Sequence, residues 1–184
     1  MIKFNNCILF FLIGFQSLTC SQNNKTEQVY LQLCKIKEVP FVEMGDSVYW
    51  DIVEGGLNNI PPLINLLDNS QNTGIHAPYF GRDYSIADLA YRIISTDIIR
   101  DVPTYALLEK AGCKIEIDKG FANYWYFLDG NDDNRKKFKA VVQDWFSNNK
   151  DNLVWYKTDM HAYTDFNEDT PFKNPAGGYY MLKK

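Results

Sequence analysis

The strongest hydrophobic rhythm in the chain runs through SIADLAYRIISTDII, where Ile86, Leu89, Ala90, Ile93 and Ile94 recur at i, i+3, i+4, i+7 and i+8 and so share one helix face. Ser85, with Asp88 three residues on, makes a capping-box start, and Asp88 with Arg92 is expected as an ion pair on the wet side. The run NDDNRKKFKAVVQDWFSNN predicts a second helix, started by Asn131 or Asp132 and burying Phe138, Val141, Val142, Trp145 and Phe146, with Arg135, Lys136, Lys137 and Lys139 on its solvated side. Earlier, Asp46 and Ser47 precede Val48, Tyr49, Ile52 and Val53 in a helix that Gly55-Gly56 stops. Asn58 or Asn59, then Pro61 and Pro62, open the next helix, whose apolar residues are Leu63, Ile64, Leu66 and Leu67. Pro103 and Gly112 bracket another. Val29, Leu31, Leu33 and Ile36 ahead of Pro40 fit a helix, although their alternation also permits a strand. KIEI (114–117), LVWY (153–156) and GYYML (178–182) read as short strands.

This order predicts a mainly α fold of short helical hairpins with a small C-terminal β element. Within residues 46–112, Leu66-Leu67-Asp68 ends one helix and Ile86-Ala87-Asp88-Leu89-Ala90 opens another. In these strings the chain resembles the HEAT-like (armadillo-type) helical repeats, and the resemblance implies stacked antiparallel helix pairs that present a binding surface. The stretch between the two pairs, residues 69–84, is far longer than the turn between such repeats.

The N-terminus follows a different logic. One cation, Lys3, precedes an apolar run from Cys7 to Phe15 that Gln16 interrupts, short of the roughly 20 residues a spanning helix needs. Ser17-Leu18-Thr19-Cys20 resembles the lipobox of bacterial lipoproteins, which implies removal of residues 1–19 and lipidation of Cys20; the alternative is ordinary secretion. Residues 20–28 then form a lipidated N-terminus and flexible tether, and 29–184 a single helical domain with a C-terminal α/β cap. The expected place is the cell envelope, outside the cytosol, with the lipid as the sole membrane contact.

The 19 Lys and Arg against 23 Asp and Glu give a net charge of −4, which argues against nucleic acid or an anionic lipid surface as partner. In an oxidising compartment Cys34 and Cys113 either pair, closing a loop of about 80 residues for ~4 kcal/mol, or remain two small hydrophobes. With 12 Tyr, 12 Phe and 4 Trp, some rings are left for the surface, where they serve recognition.

No nucleophile elbow, phosphate loop or dinucleotide fingerprint occurs, and no cofactor or metal is expected. Asp159, His161 and Asp165 lack the second His or Cys a metal site needs. Asp51 and Glu54 share a helix face, and glycan hydrolysis needs an acid/base pair, but acidic residues there more often form the wet face; an envelope hydrolase acting on glycan or peptide would use carboxylates that converge only in three dimensions. The long loop 69–84 carries His76, Tyr79, Phe80, Arg82, Asp83 and Tyr84, an aromatic and arginine mixture suited either to gripping a protein partner or to packing as a flap. A non-catalytic, membrane-tethered binding or scaffold protein is the expected function, with a hydrolase or a toxin-neutralising immunity lipoprotein as alternatives.

Overall fold

The computed structural model describes residues 23–40, 45–78, 80–158 and 174–183. Cys20, Tyr79, Asp159, His161 and Asp165 therefore lie outside the described residues. Among those described, seven α-helices and two small antiparallel sheets surround one contiguous core. The helices are α1 (23–33), α2 (Ser47–Glu54), α3 (Ile60–Asn65), α4 (Ile86–Arg92), α5 (Thr104–Lys110), α6 (Ala122–Leu128) and α7 (Asp132–Asn149). One sheet pairs β1 (Asn72–Ala77) with β2 (Arg82–Ser85); the other, at the C-terminus, pairs β3 (Leu153–Lys157) with β4 (Gly178–Leu182).

Helix α4 is the centre, because its start satisfies backbone and side chains together. The Asp88 N–H donates to Ser85 Oγ at 3.2 Å, and the Ser85 N–H donates back to Asp88 Oδ2 at 2.9 Å. Ile86, Leu89, Ala90, Ile93 and Ile94 are fully buried, as their spacing requires. The helix continues into a π-helical turn, Ile93–Ile98, against which α2 packs. There the Tyr49 hydroxyl donates to the buried Asp97 carboxylate. Directly after the turn, Ile99 bridges to Tyr180 and the Arg100 N–H donates to the Tyr180 carbonyl at 3.0 Å, which ties the C-terminal sheet to the core.

Five sequence expectations change. The pair Asp88–Arg92 is not formed on a wet face: Asp88 is buried and faces Arg135, while Arg92 donates to the Pro40 carbonyl. Arg135 is likewise buried rather than solvated, since α7 turns it inward toward Asp88. Lys139 is half-buried, donating to the Asn65 carbonyl at 2.7 Å and Asp68 Oδ1 at 2.9 Å, which fastens α7 to the end of α3. Residues 23–28 are helical and not a tether, held by the Lys25 ammonium on the Asn58 carbonyl at 2.6 Å and by the Asn65 amide on Thr26 Oγ1 at 3.2 Å. KIEI forms no strand. The Asn123 side chain accepts from the Glu116 N–H at 2.9 Å and donates to the Glu116 carbonyl at 2.8 Å, doing for this backbone what a neighbouring strand would do.

Cys34 and Cys113 are not bonded to each other: both are free thiols. Cys34 is exposed just beyond α1, whereas Cys113 packs partly against the core, where burial and the nearby Glu109 and Glu116 carboxylates push its thiol pKa upward. Iodoacetamide is therefore expected to modify Cys34 several-fold faster than Cys113 in the folded protein, followed peptide by peptide in a mass spectrometer; equal rates would contradict these environments.

Candidate hairpin and aromatic cavity

The stretch expected as a loop, residues 69–84, is mostly the β1–β2 hairpin. His76 faces Asp83 across it and Ala77 faces Arg82, with an irregularity between Asn72 and His76. Ile75, Ala77 and Tyr84 turn inward, and Gly81 takes φ +63°, a conformation open to glycine at little cost, where the chain reverses. The Thr73 hydroxyl donates to the Tyr84 carbonyl at 2.7 Å where the register is broken.

The hairpin rests on α6, a helix of mixed aromatics (ANYWYFL) that no sequence period announced. The Arg82 guanidinium lies 4.8 Å above the centroid of the Trp125 ring and reaches Asp129 Oδ2 at 2.7 Å. Phe80 packs on Trp125, with centroids 5.2 Å apart, and stands 6.1 Å from Phe121. Tyr84, two residues beyond Arg82 on β2, meets Trp125 at 5.7 Å. Trp125 is thus the platform on which Phe80, Arg82 and Tyr84 converge.

The candidate residues divide accordingly. Phe80 is 38% exposed and Arg82 partly so, at the junction with α6, whereas His76 and Asp83 stand on the outer side with ring nitrogen and carboxylate oxygen 3.7 Å apart. Tyr84 is buried and cannot meet a macromolecule directly. Asp51 and Glu54 are exposed on α2 and line neither hairpin nor cavity.

Beneath the hairpin, between α4, its π-turn and α6, lies a cavity of about 290 Å³. Its walls include Tyr84, Tyr91, Phe121, Tyr124 and Trp125, with Ser95 and Thr96 of the π-turn also on the lining. Tyr91 stacks on Tyr124 (5.2 Å, 11°), Tyr124 on Phe121 (5.3 Å, 15°), and Trp125 meets Tyr124 edge-on (5.5 Å, 89°). The same wall contains Asp88, whose two oxygens are well supplied with donors. Ser85 Oγ donates to Oδ2 at 2.6 Å, while the Tyr124 hydroxyl at 3.2 Å and Arg135 Nη1 at 3.4 Å share Oδ1. Burial first, and then the Asp88 charge beside it, raise the Tyr124 phenol well above its ordinary pKa, so it stays protonated and donates.

Phe80 and Arg82 were legible in the sequence as a binding mixture; Trp125, Tyr124, Phe121, Asp88 and Arg135 were missed as members of a site. The one available signal for α6 was the eight-residue run between Gly120 and the Asp129-Gly130 pair, bracketed by residues that take φ of +51° and +60°. Among the described residues no group of three or more His, Cys, Asp or Glu is placed to hold a metal ion, and no helix is long and apolar enough to cross a membrane. Compared with protein-family models, curated proteins and solved structures, the chain matches none.

Proposed function

We propose that this chain is a non-catalytic binding domain that recognises a protein partner through the tip of the β1–β2 hairpin and the adjoining edge of α6. The observation that carries this reading is the half-exposed aromatic pair Phe80 (38%) and Phe121 (42%), set side by side and flanked by the Arg82–Asp129 ion pair. Aromatic residues beside arginine, held rigidly before the partner arrives, contribute most of the binding energy at many interfaces. Asp88, the buried carboxylate nearby, is engaged by Ser85, Tyr124 and Arg135, an arrangement that fixes structure rather than moving protons.

The address belongs to the same proposal: a bacterial lipoprotein, cleaved before Cys20 and anchored outside the cytosol by the lipid on that residue. The lipobox-like Ser17-Leu18-Thr19-Cys20 supports it. We read α2–α3 and α4–α5 as HEAT-like pairs, supported by α3 packing on α4 and α2 on the turn that extends α4.

The test is chemical cross-linking in the native cell, followed by recovery of the tagged protein. Arg82→Ala combined with Phe80→Ala is expected to lower recovery of the cross-linked partner at least about tenfold, as loss of two hot-spot side chains should. Circular dichroism should show the fold retained. Unchanged recovery removes the hairpin tip from the interface. Mass spectrometry of the mature N-terminus tests the address separately: acylated Cys20 supports it, and an intact Met1 refutes it.

A further inference from the structure

We propose that the cavity under the hairpin, which shares Phe80 and Phe121 with the binding edge, is a second site, for a small, flat, uncharged aromatic ring. Size is the first argument. At about 290 Å³ the cavity is roughly twice the ~150 Å³ void that accommodates one benzene, so a two-ring compound fits.

Wall geometry is the second. Tyr91, Tyr124 and Phe121 form a continuous stack with interplanar angles of 11° and 15°, while Trp125 stands perpendicular to Tyr124 at 89°. A guest ring that enters beside the stack meets ring edges, the edge-to-face arrangement that aromatic pairs favour. Such walls would also suit a quaternary ammonium group, and charge decides between the two guests. The Asp88 carboxylate on the wall is neutralised by Arg135 behind it, and the Arg92 guanidinium also lines the space. The cavity therefore offers no uncompensated negative charge to a cation.

The π-turn adds polar groups to this lining. Widening the helix at Ile93–Ile98 puts Ser95 and Thr96 on the lining, and inserted turns of this kind recur at functional sites. The Ser95 hydroxyl donates to the Tyr91 carbonyl at 2.8 Å and keeps its oxygen as an acceptor for a ring N–H or O–H.

The probes are indole and choline, offered to the purified chain and followed by saturation-transfer NMR and calorimetry. Indole is expected to bind in the millimolar range or tighter, and at least about tenfold more tightly than choline. Ser95→Phe, which pushes a ring into the cavity from its half-buried rim, should weaken indole at least about tenfold without moving the melting temperature. Thr96→Phe on the same rim gives the same reading should the first variant fail to fold. Absence of transfer to indole, choline binding as tightly as indole, or indole binding indifferent to the filled cavity each overturns the proposal. Partner recovery with Arg82→Ala alone, a side chain that does not line the cavity, reports separately on the binding edge, so the two proposals fail or stand apart.

Discussion

Arg135→Ala should lower the unfolding midpoint by about 10 °C, the equivalent of roughly 3 kcal/mol for a chain of this length. Arg135 and Asp88 are 2% and 3% exposed, and their contact, 3.4 Å from Nη1 to Oδ1, joins the first turn of α7 to the first turn of α4. Truncating the arginine leaves a carboxylate in the interior with less compensation, a far larger loss than a surface pair would give. Two features keep the cost from rising further. Ser85 still donates twice to Oδ2, and the Tyr124 phenol, held protonated by burial, still donates to Oδ1. A double-mutant cycle separates the pair from its surroundings. Removing both charges with Arg135→Met and Asp88→Asn should cost less than the two single changes added together, because neither partner is then left charged and alone. Thermal denaturation of Arg135→Ala and of the four proteins of the cycle decides it: a loss under about 1 kcal/mol for Arg135→Ala would mean that water reaches Asp88 and that the pair does not hold α7 in place.

The same residues show how far the sequence could be read. Period and capping made α2, α4 and α7 plain, because a Ser85–Asp88 box, an Asp46 cap on the Tyr49 N–H and an Asn131 cap on the Asn134 N–H are local facts that neighbours satisfy. Asp88 was placed on the wrong side for a related reason: a carboxylate at the third helical position turns back toward its cap, and the partner that completes it, Arg135, is 47 residues away. Long-range pairing has no periodic signature. The hairpin was hidden in a similar way, since Gly74 and the irregular register between Asn72 and His76 break the alternation that would have announced two strands. In KIEI the opposite error arose: the alternation was real, but one amide side chain, Asn123, supplied the backbone partners and no strand was needed. Of the candidate site, Phe80 and Arg82 were legible from their type and from the length of the segment carrying them. The platform beneath them was not, because α6 is short, aromatic on every side and set more than 40 residues downstream of Phe80.

That platform carries the other large expected effect. Trp125→Ala should destabilise the protein by about 3–5 kcal/mol, within the range for removing a buried aromatic ring, and the damage should be uneven. Trp125 is 5% exposed and touches Phe80, Phe121, Tyr84 and Tyr124, with Arg82 stacked above it. Without the indole, Arg82 keeps its ion pair with Asp129 but loses the ring beneath it. That pair is 25% and 61% exposed at its side chains, and an ion pair so open to water holds a hairpin weakly. Two strands alone are marginal in water and take their order from whatever they pack against. Amide hydrogen exchange should therefore speed up first in Asn72–Ala77 and Arg82–Ser85, while exchange in the interior of α7, anchored through Phe138 and Val142, quickens only in proportion to the global loss. Trp125→Phe, which keeps a ring under Arg82, should recover most of the hairpin's protection. Uniform acceleration across hairpin and α7 in Trp125→Ala would show instead that the hairpin unfolds only with the whole molecule, and that α6 is part of the core rather than a separate seat for the binding edge.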